Sequence, residues 1–358
     1  MALFSNNFEV KGKFGVISGA SQGLGLALAK QLYSQGASLL IISRDEIKLK
    51  SAKEAIGEHG CDDVKQSVEY LASDLCDYKS SSAVLPLLGK LRVDRVDFLF
   101  CCAGSAHPRY FLNMTHEDLE FGLHTNYTTC VNLVHLLVKK MIDTNALKAC
   151  SKQNSAFDDF KTALRIGGRK PEIRHIVLVS SVVAFYNFIG YAEYGPSKAA
   201  IKSFGDSIRQ ELKPYNVDVH VVFPGNFASE GYTVENTTKP EACKVIEGSS
   251  KPINVDECAS IIIKGLRLGY MYVFTDFIGW VLESFSVGLD PRQWGIIQVF
   301  LAFVGAVIGG IVGQIHQVYV QGYFRKEGGF IQDAKNHTEG KKKADNDDND
   351  FANEDSSQ

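Results

Sequence analysis

Residues 13–34, KFGVISGASQGLGLALAKQLYS, decide the fold of this chain. The apolar run over 13–18 predicts a β-strand, and the periodic apolar residues over 24–34 predict an α-helix. Between them, glycines stand at the first, fifth and seventh positions of GASQGLG, which lets backbone N–H groups approach a pyrophosphate at a helix N-terminus. The stretch therefore predicts a dinucleotide-binding turn. Its candidate residues are Gly19, Ser21, Gln22, Gly23 and Gly25.

The same turn also fits a second kind of site. GASQG matches the G-x-S-x-G pattern of hydrolases, in which Ser21 would be the nucleophile. That interpretation needs an acidic residue and a histidine after later strands, and no predicted strand end downstream supplies the histidine. The dinucleotide interpretation also accounts for Gly25, and we prefer it.

The alternation of strand and helix continues along the chain. Further apolar runs end near Ser43, Asp74, Gly104, Ser181 and Gly225. Continuous apolar strands separated by helices are typical of a parallel sheet covered on both faces. We therefore predict an α/β fold, a doubly wound parallel sheet of the Rossmann type, over residues 8–270. A polar stretch at 143–172 interrupts the pattern and is predicted to be a surface insertion.

The composition of the 358 residues narrows the function. A net charge of −3 gives no basic balance that would favour a nucleic-acid partner. The eight cysteines show no spacing typical of a zinc site, so no metal is predicted. The start of the chain, MALFSNNFEVKGK, does not resemble a secretory signal, so we expect reduced thiols in a domain that faces the cytosol.

The C-terminal part changes character. No Asp, Glu, Lys or Arg occurs between Arg292 and Arg325, and about 20 apolar residues suffice to cross a bilayer. We predict a transmembrane segment over 293–322, the alternative being a buried core helix. The polar, acidic tail over 326–358 is predicted to be disordered.

The segment before it, 271–290, is apolar but contains Asp276 and Glu283. Acidic side chains at the centre of a bilayer are costly, so a plain span is disfavoured. We predict an amphipathic helix lying in the membrane interface, with a helical hairpin inside the membrane as the alternative.

Two cations after the second predicted strand indicate which dinucleotide binds. Arg44 follows Ser43, and Lys48 lies one helical turn later. NAD sites usually carry an acidic residue here for the ribose 2′-hydroxyl, whereas cations suit a 2′-phosphate. We therefore predict NADPH, the alternative being that Arg44 is a solvated loop charge. At the end of the third strand, Asp74 and Leu75 are predicted to hold the adenine.

A Y-x-x-x-K pattern places Tyr194 and Lys198 on one face of a predicted helix. A free phenol has a pKa near 10, and we expect Lys198, together with a bound cofactor in a dry cleft, to lower the pKa of Tyr194 to about 7, which requires a differential stabilisation of about 4 kcal/mol. Ser181, at a strand end, is expected to hydrogen-bond a substrate carbonyl, with Ser180 as the alternative. Asn126 is expected to hold a water that relays protons to Lys198. Each pattern occurs by chance elsewhere, and only their joint presence indicates an active site.

The order of these features resembles the short-chain dehydrogenase/reductase family over about residues 10–230. The resemblance implies a seven-stranded Rossmann sheet, hydride transfer from a nicotinamide to a carbonyl, and the roles given above to Ser181, Tyr194, Lys198 and Asn126. It also implies a nicotinamide side formed by Pro224-Gly225 and Ser229, and a homodimer formed through the helices that carry Asn126 and Tyr194. The chain has Cys-Cys-Ala-Gly at 101–104 where the family usually has Asn-Asn-Ala-Gly, a departure that concerns hydrogen bonds around the adenine rather than the chemistry.

Within that family, the motifs SGASQGLG, ISRDEIK and FYNFIGYAEYGPSKAAI, with the apolar C-terminal segment, resemble the fungal 3-ketodihydrosphingosine reductases. This branch implies NADPH, a long-chain sphingoid ketone as substrate, and a place in the endoplasmic reticulum membrane with the catalytic domain facing the cytosol. The lipid bilayer is then a partner. The alternatives are a membrane-bound hydroxysteroid or retinol dehydrogenase and a non-catalytic NADP-binding scaffold.

Two further expectations follow from that substrate. The aromatic side chains Phe185, Tyr186, Phe188 and Tyr191, with the loop FASEGYTVENTTKPE, are expected to line the entrance for the alkyl chain, the alternative being ordinary packing. Glu193 or Glu230 is expected to meet the substrate's ammonium group.

Overall fold

The computed structural model describes residues 8–61, 65–142, 172–248, 251–285 and 295–326. The insertion predicted over 143–172 and the tail predicted over 326–358 therefore lie almost entirely outside the described residues.

A parallel sheet of seven strands forms the centre of the described structure, in the order β3-β2-β1-β4-β5-β6-β7, with every neighbouring pair parallel. This confirms the predicted α/β Rossmann-type sheet. The strands are β1 (Phe14–Ser18), β2 (Ser38–Ser43), β3 (Val68–Ala72), β4 (Phe98–Cys101), β5 (Arg174–Val179), β6 (Val217–Phe223) and β7 (Tyr272–Phe274).

Helices connect the strands and cover both faces of the sheet. They are α1 (Gly23–Ser34), α2 (Glu46–Gly57), α3 (Tyr78–Ser81), α4 (Val84–Lys90), α5 (His116–Leu123), α6 (Thr129–Met141), α7 (Tyr194–Leu212), α8 (Glu230–Thr238), α9 (Glu241–Glu247), α10 (Val255–Arg267), α11 (Phe277–Phe285) and α12 (Ile296–Lys326). All four residues of β4 and all six of β5 are buried, because apolar side chains cover them from above and below.

The apolar core is split by the sheet into two layers. On one face Leu28 and Leu32 of α1 and Ile262 of α10 belong to the same buried cluster. On the other face Leu133 of α6 and Ile201 of α7 belong to the second. The strand order reverses between β1 and β4, and in such sheets ligands bind in the crevice at the carboxyl ends of the strands on either side of the reversal.

The sheet extends beyond the predicted end of the domain at residue 270. β7 lies within the stretch 271–290, which was predicted to be an interfacial helix, and helical structure begins only at Phe277. A short apolar run such as YVF fits a buried strand and a buried helix equally well, so hydropathy alone misplaced it. Residues 286–290 lie outside the described residues.

The long helix α12 accounts for the described part of the segment 293–322 and packs against α11. Gln298 of α12 donates to the buried carboxylate of Glu283 on α11. A Cβ at Gly305 would lie 2.6 Å from the ring of Phe285, so close packing requires glycine there. Among the residues that the structure describes, none of the helices combines the length and the apolar character that crossing a membrane requires.

Candidate active site

The predicted dinucleotide turn joins β1 to α1 and depends on two glycines. Gly19 has φ +66°, and a Cβ there would lie 2.7 Å from the backbone nitrogen of Ala103. A Cβ at Gly25 would lie 2.3 Å from the carbonyl oxygen of Gly19. Both positions exclude a side chain, so the backbone itself forms the floor of the crevice. The strand, turn and helix predicted over 13–34 are confirmed.

One cavity of about 1010 Å³ runs from this turn to Tyr194 and onward to α11 and α12, a volume suited to large ligands. Every residue predicted to bind the cofactor lines it: Gly19, Ser21, Gln22, Gly23, Gly25, Arg44, Lys48, Asp74, Leu75, Tyr194, Lys198 and Ser229. Ser180, Ser181, Pro224 and Gly225 line it as well. The turn, the cations and the phenol therefore belong to a single site, and its lining fits a dinucleotide.

Tyr194 is the first residue of α7, and Lys198 follows one turn later. The Lys198 Nζ lies 5.3 Å from the centroid of the Tyr194 ring and donates to the carbonyl oxygen of Val179 at 3.0 Å. Lys198 is buried, so the ammonium is held between the end of β5 and the phenol. The two side chains share one face of the helix, as the Y-x-x-x-K spacing predicted.

The two neighbouring serines after β5 have different partners. The Ser180 hydroxyl donates to the carbonyl oxygen of Lys198 at 2.7 Å and thereby anchors α7 to the sheet. The Ser181 side chain hydrogen-bonds Tyr194. Ser181 is therefore the serine beside the phenol, and Ser180 supports the helix.

Asn126 lies in a π-helical turn, His124–Thr128, between α5 and α6. Its amide nitrogen donates to the carbonyl oxygens of Ser105 at 2.9 Å and Gly122 at 3.0 Å. A Cβ at Gly104 would lie 2.6 Å from the Asn126 Oδ1 and 3.1 Å from the Lys198 Nζ, so the amide and the ammonium meet over this glycine. Asn126 is buried behind the cavity rather than lining it, and π turns often mark functional positions.

The profile of the short chain dehydrogenase family matches residues 13–148 and 168–240 of this chain. The chain belongs to the short-chain dehydrogenase family. Curated 3-ketodihydrosphingosine reductases are similar to it along most of their length. The enzyme of Debaryomyces hansenii is 41% identical, covering 87% of this chain and 90% of the relative. That of Saccharomyces cerevisiae is 32% identical, covering 89% and 96%.

Among solved structures, a short chain dehydrogenase/reductase from Burkholderia phymatum, crystallised in complex with NAD, is similar in fold. It has a TM-score of 0.58 and 18% identity, and the match covers 80% of this chain and 99% of that chain. At 18% identity, this similarity shows only that the two proteins share a fold.

Within the described part of the chain, Ser21, the serine of the alternative hydrolase pattern, hydrogen-bonds a hydroxyl group rather than an imidazole. The Ser21 hydroxyl donates to the Ser43 hydroxyl at 3.0 Å, across the ends of β1 and β2. A nucleophilic serine is activated by hydrogen bonding to a base, which a second hydroxyl is not. Ser21 is thus placed as a residue of the dinucleotide turn.

Both predicted phosphate-binding cations lie at the exposed end of the cavity. The Lys48 Nζ donates to the Gln22 Oε1 at 2.7 Å and pairs with Glu230 at 2.8 Å. The Asp45 side chain accepts from the Lys48 backbone N–H and caps the N-terminus of α2, which fixes the position of both cations relative to the turn. Arg44 lines the cavity and is exposed to solvent.

The pKa values around the phenol differ from the sequence prediction. Burial, followed by the negative charge of Glu235, raises the pKa of Tyr194 above its usual value, although the hydrogen bond from Ser181 opposes this. Burial lowers the pKa of Lys198 to about 8. The protein's own residues therefore shift the pKa of Tyr194 opposite to the predicted direction, because burial and the carboxylates of Glu235 and Glu193 all disfavour the phenolate. The lowering to about 7 that is predicted for Lys198 together with a bound cofactor stays a prediction.

The acidic residues expected to meet an ammonium group are placed elsewhere. Glu193 is buried and its Oε1 accepts from the His107 N–H at 2.8 Å, and it does not line the cavity. Glu230 pairs with Lys48 at the surface. Sequence reasoning missed Glu235 and Glu247, which do line the cavity. The spacing of Glu235 and Lys239, four residues apart, was the available signal.

Three residues of types that commonly bind metals lie close together outside this cavity. One ligand atom from each of His175, Asp218 and His220 lies within 4.8 Å of the others. The rings form a hydrogen-bonded chain, His175 Nδ1 to His220 Nε2 at 3.1 Å and His220 Nδ1 to the Tyr270 carbonyl oxygen at 2.7 Å. This chain accounts for the cluster as a packing feature between β5 and β6. It escaped the sequence analysis because the two histidines are 45 residues apart.

Proposed function

We propose that this dehydrogenase reduces the 3-keto group of 3-dehydrosphinganine to the hydroxyl group of sphinganine, with NADPH as the cofactor. The observation that carries the proposal is the similarity, over 87% of the chain, to a curated enzyme named for this reduction. The lining of the cavity supports it, since a dinucleotide turn, a phenol with its ammonium and an apolar wall follow one another along it.

The residues divide the reaction between them. The turn at Gly19–Gly25, Arg44 and Lys48, which line one end of the cavity, would hold the dinucleotide phosphates, and Asp74 and Leu75 would hold the adenine. When bound, the nicotinamide supplies the hydride that forms the new C–H bond at the carbonyl carbon. Residues beside the carbonyl then provide the proton.

Ser181 donates a hydrogen bond to the carbonyl oxygen, and the Tyr194 hydroxyl gives that oxygen its proton as the C=O double bond becomes C–O. A raised pKa keeps the phenol protonated at neutral pH, and the developing alkoxide is basic enough to take the proton. Lys198 returns a proton to Tyr194 through water held near Asn126. The reaction is balanced, because the ketone gains one hydride and one proton and becomes the alcohol.

The far wall of the cavity suits a long alkyl chain. Apolar side chains from α9, α11 and α12 form it: Ile246, Ile278, Leu282, Phe285 and Ile308. Phe185, Tyr186, Phe188 and Tyr191 line the cavity as well, although Phe185 also packs on Phe223 at a centroid distance of 4.6 Å. Each methylene moved from water to such a wall contributes about 0.8 kcal/mol.

Membrane attachment, at the endoplasmic reticulum and with the catalytic domain in the cytosol, is part of the proposal. It is supported by the absence of Asp, Glu, Lys and Arg between 292 and 325 and by exposed apolar side chains along α12, such as Ile296, Phe300 and Phe303. A bilayer-bound enzyme receives its substrate without first moving the alkyl chain into water. The homodimer stays a prediction.

Membrane attachment is tested by extracting isolated membranes with alkaline carbonate. We expect the full chain to stay in the membrane pellet. Release of the chain together with peripheral markers would contradict the attachment without touching the chemistry.

The activity itself is tested with purified, detergent-solubilised full-length protein. NADPH oxidation is measured with 3-dehydrosphinganine, a ketosteroid and retinal as competing candidates. We expect kcat/KM to be highest for the sphingoid ketone. Good turnover of the steroid or of retinal, with none of the sphingoid ketone, would overturn the proposed substrate.

Replacing Arg44 with Asp is expected to reverse the choice of cofactor. The carboxylate repels a 2′-phosphate and accepts from a ribose 2′-hydroxyl, so the KM for NADPH rises by about tenfold or more while that for NADH changes little. Steady-state kinetics with both cofactors measure this. Arg267→Asp, at the exposed end of α10, is the control, and equal effects on both cofactors would contradict the assignment of Arg44.

A further inference from the structure

A second charged cluster adjoins the phenol. Glu235 on α8 accepts from the Tyr191 hydroxyl at 2.5 Å and pairs with the Lys239 Nζ at 3.0 Å. The same ammonium binds the Glu247 Oε2 at 2.7 Å, and the Glu247 Oε1 accepts from Asn226 at 2.7 Å. The Lys239 side chain is only 1% exposed, so the cluster is built into the protein rather than placed on its surface.

The charges of this cluster do not balance. Two carboxylates face one ammonium, and the other two partners, a phenol and an amide, are neutral. Lys239 is the one cation bonded to either carboxylate within the described residues. A partly buried net negative charge is costly unless a counter-charge joins it. One further positive charge would therefore neutralise the cluster.

One oxygen is free to receive that cation. Both bonds to Glu235 go to Oε1, and across the described part of the chain no hydrogen bond reaches its Oε2. Both oxygens of Glu247 are bonded already. Glu235 and Glu247 line the same cavity as Tyr194, so a ligand there can reach the free oxygen.

The cluster also lies beside the reacting group. The ring centroids of Tyr191 and Tyr194 are 5.9 Å apart, and Tyr191 carries the hydrogen bond to Glu235. In a 2-amino-3-ketone the ammonium is attached to the carbon next to the carbonyl carbon. When the carbonyl oxygen meets Tyr194, the ammonium must lie within a few ångströms of the same place.

We propose that Glu235, supported by Glu247 and Lys239, binds the ammonium group of the substrate and selects amino ketones over neutral ketones. The inference rests on the proposed function and adds the residue that determines its specificity. The bound ammonium also compensates the negative charge that Glu235 brings close to Tyr194. Neutral ketones such as steroids and retinal offer no such charge and leave the cluster unbalanced.

The test compares two substrates in wild-type protein and in Glu235→Gln. One is 3-dehydrosphinganine, and the other is the same long-chain ketone with hydrogen in place of the 2-amino group. The amide keeps the size and an acceptor for Tyr191 but loses the charge. We expect kcat/KM for the amino ketone to fall by about tenfold to a hundredfold, mainly through KM, and that for the neutral ketone to stay within about threefold.

Several controls separate a binding role from a structural one. Glu235→Asp is expected to restore part of the preference for the amino ketone, and Glu241→Gln, an exposed carboxylate on α9, is expected to keep all of it. NADPH binding, followed by nicotinamide fluorescence, reports whether each variant is folded. An equal loss for both substrates in Glu235→Gln would overturn the assignment. Turnover of neither substrate by wild-type protein would instead refute the proposed function.

Discussion

Replacing Tyr194 with Phe is expected to lower kcat for ketone reduction by about 10²- to 10⁴-fold. The variant removes the proton donor and the hydrogen bond with Ser181 but keeps the ring, which packs against Tyr191 and lies 5.3 Å from the Lys198 ammonium. NADPH affinity is expected to change little, because the turn and the cations at the other end of the cavity stay intact. Single-turnover kinetics at saturating NADPH measure the chemical step directly.

The control is Tyr78→Phe, which removes an exposed phenol that bonds His135 and does not line the cavity. It is expected to match the wild type in kcat. If Tyr194→Phe retained more than about a tenth of the wild-type rate, the proton would have to come from another group. Full biological function of that variant would favour the alternative of a non-catalytic NADP-binding scaffold.

The parts of the site that the sequence predicted are those fixed by local geometry. Gly19 and Gly25 are needed within one strand–turn–helix unit, and Tyr194 and Lys198 are separated by one helical turn. Strand ends in a parallel sheet meet at one edge, so Ser181 was placed by its position in the pattern as well. In each case a few residues that are close in the sequence suffice for the prediction.

The parts that the sequence did not predict depend on distant contacts. Glu235 and Glu247 reach the cavity because α8 and α9 pack over it. The spacing of Glu235 and Lys239 indicates an ion pair but not its position at the cavity. The direction of the pKa shift of Tyr194 depends on how deeply the phenol is buried and on the nearby carboxylates of Glu235 and Glu193, which the sequence does not reveal. β7 was misplaced because a three-residue apolar strand carries too little periodicity to distinguish it from a helix.

The second large effect concerns Lys198 and its dependence on pH. Burial lowers its pKa to about 8, so the ammonium is charged below that pH and neutral above it. A neutral amine no longer supplies the charge or the proton that Tyr194 needs. We therefore expect kcat/KM to fall by about tenfold per pH unit as pH rises above about 8.

The neutral ketone analogue is the substrate of choice for this profile, because the amine of 3-dehydrosphinganine titrates in the same region. Lys198→Arg keeps its charge to far higher pH, since guanidinium groups have a pKa above about 12, so its alkaline limb should move out of the measured range. Lys198→Met should lose about 10²-fold or more in kcat and show no limb near pH 8.

Lys264→Met, at an exposed position of α10 that does not line the cavity, is the control and should reproduce the wild-type profile. An alkaline limb that persisted unchanged in Lys198→Met would assign the titration to another group. A limb that disappears in Met and moves upward in Arg has one explanation, because the two variants differ in charge at a single buried position between β5 and the phenol. The pH profile then reports the protonation state of Lys198, while the Tyr194→Phe variant reports the contribution of the phenolic proton to the reaction.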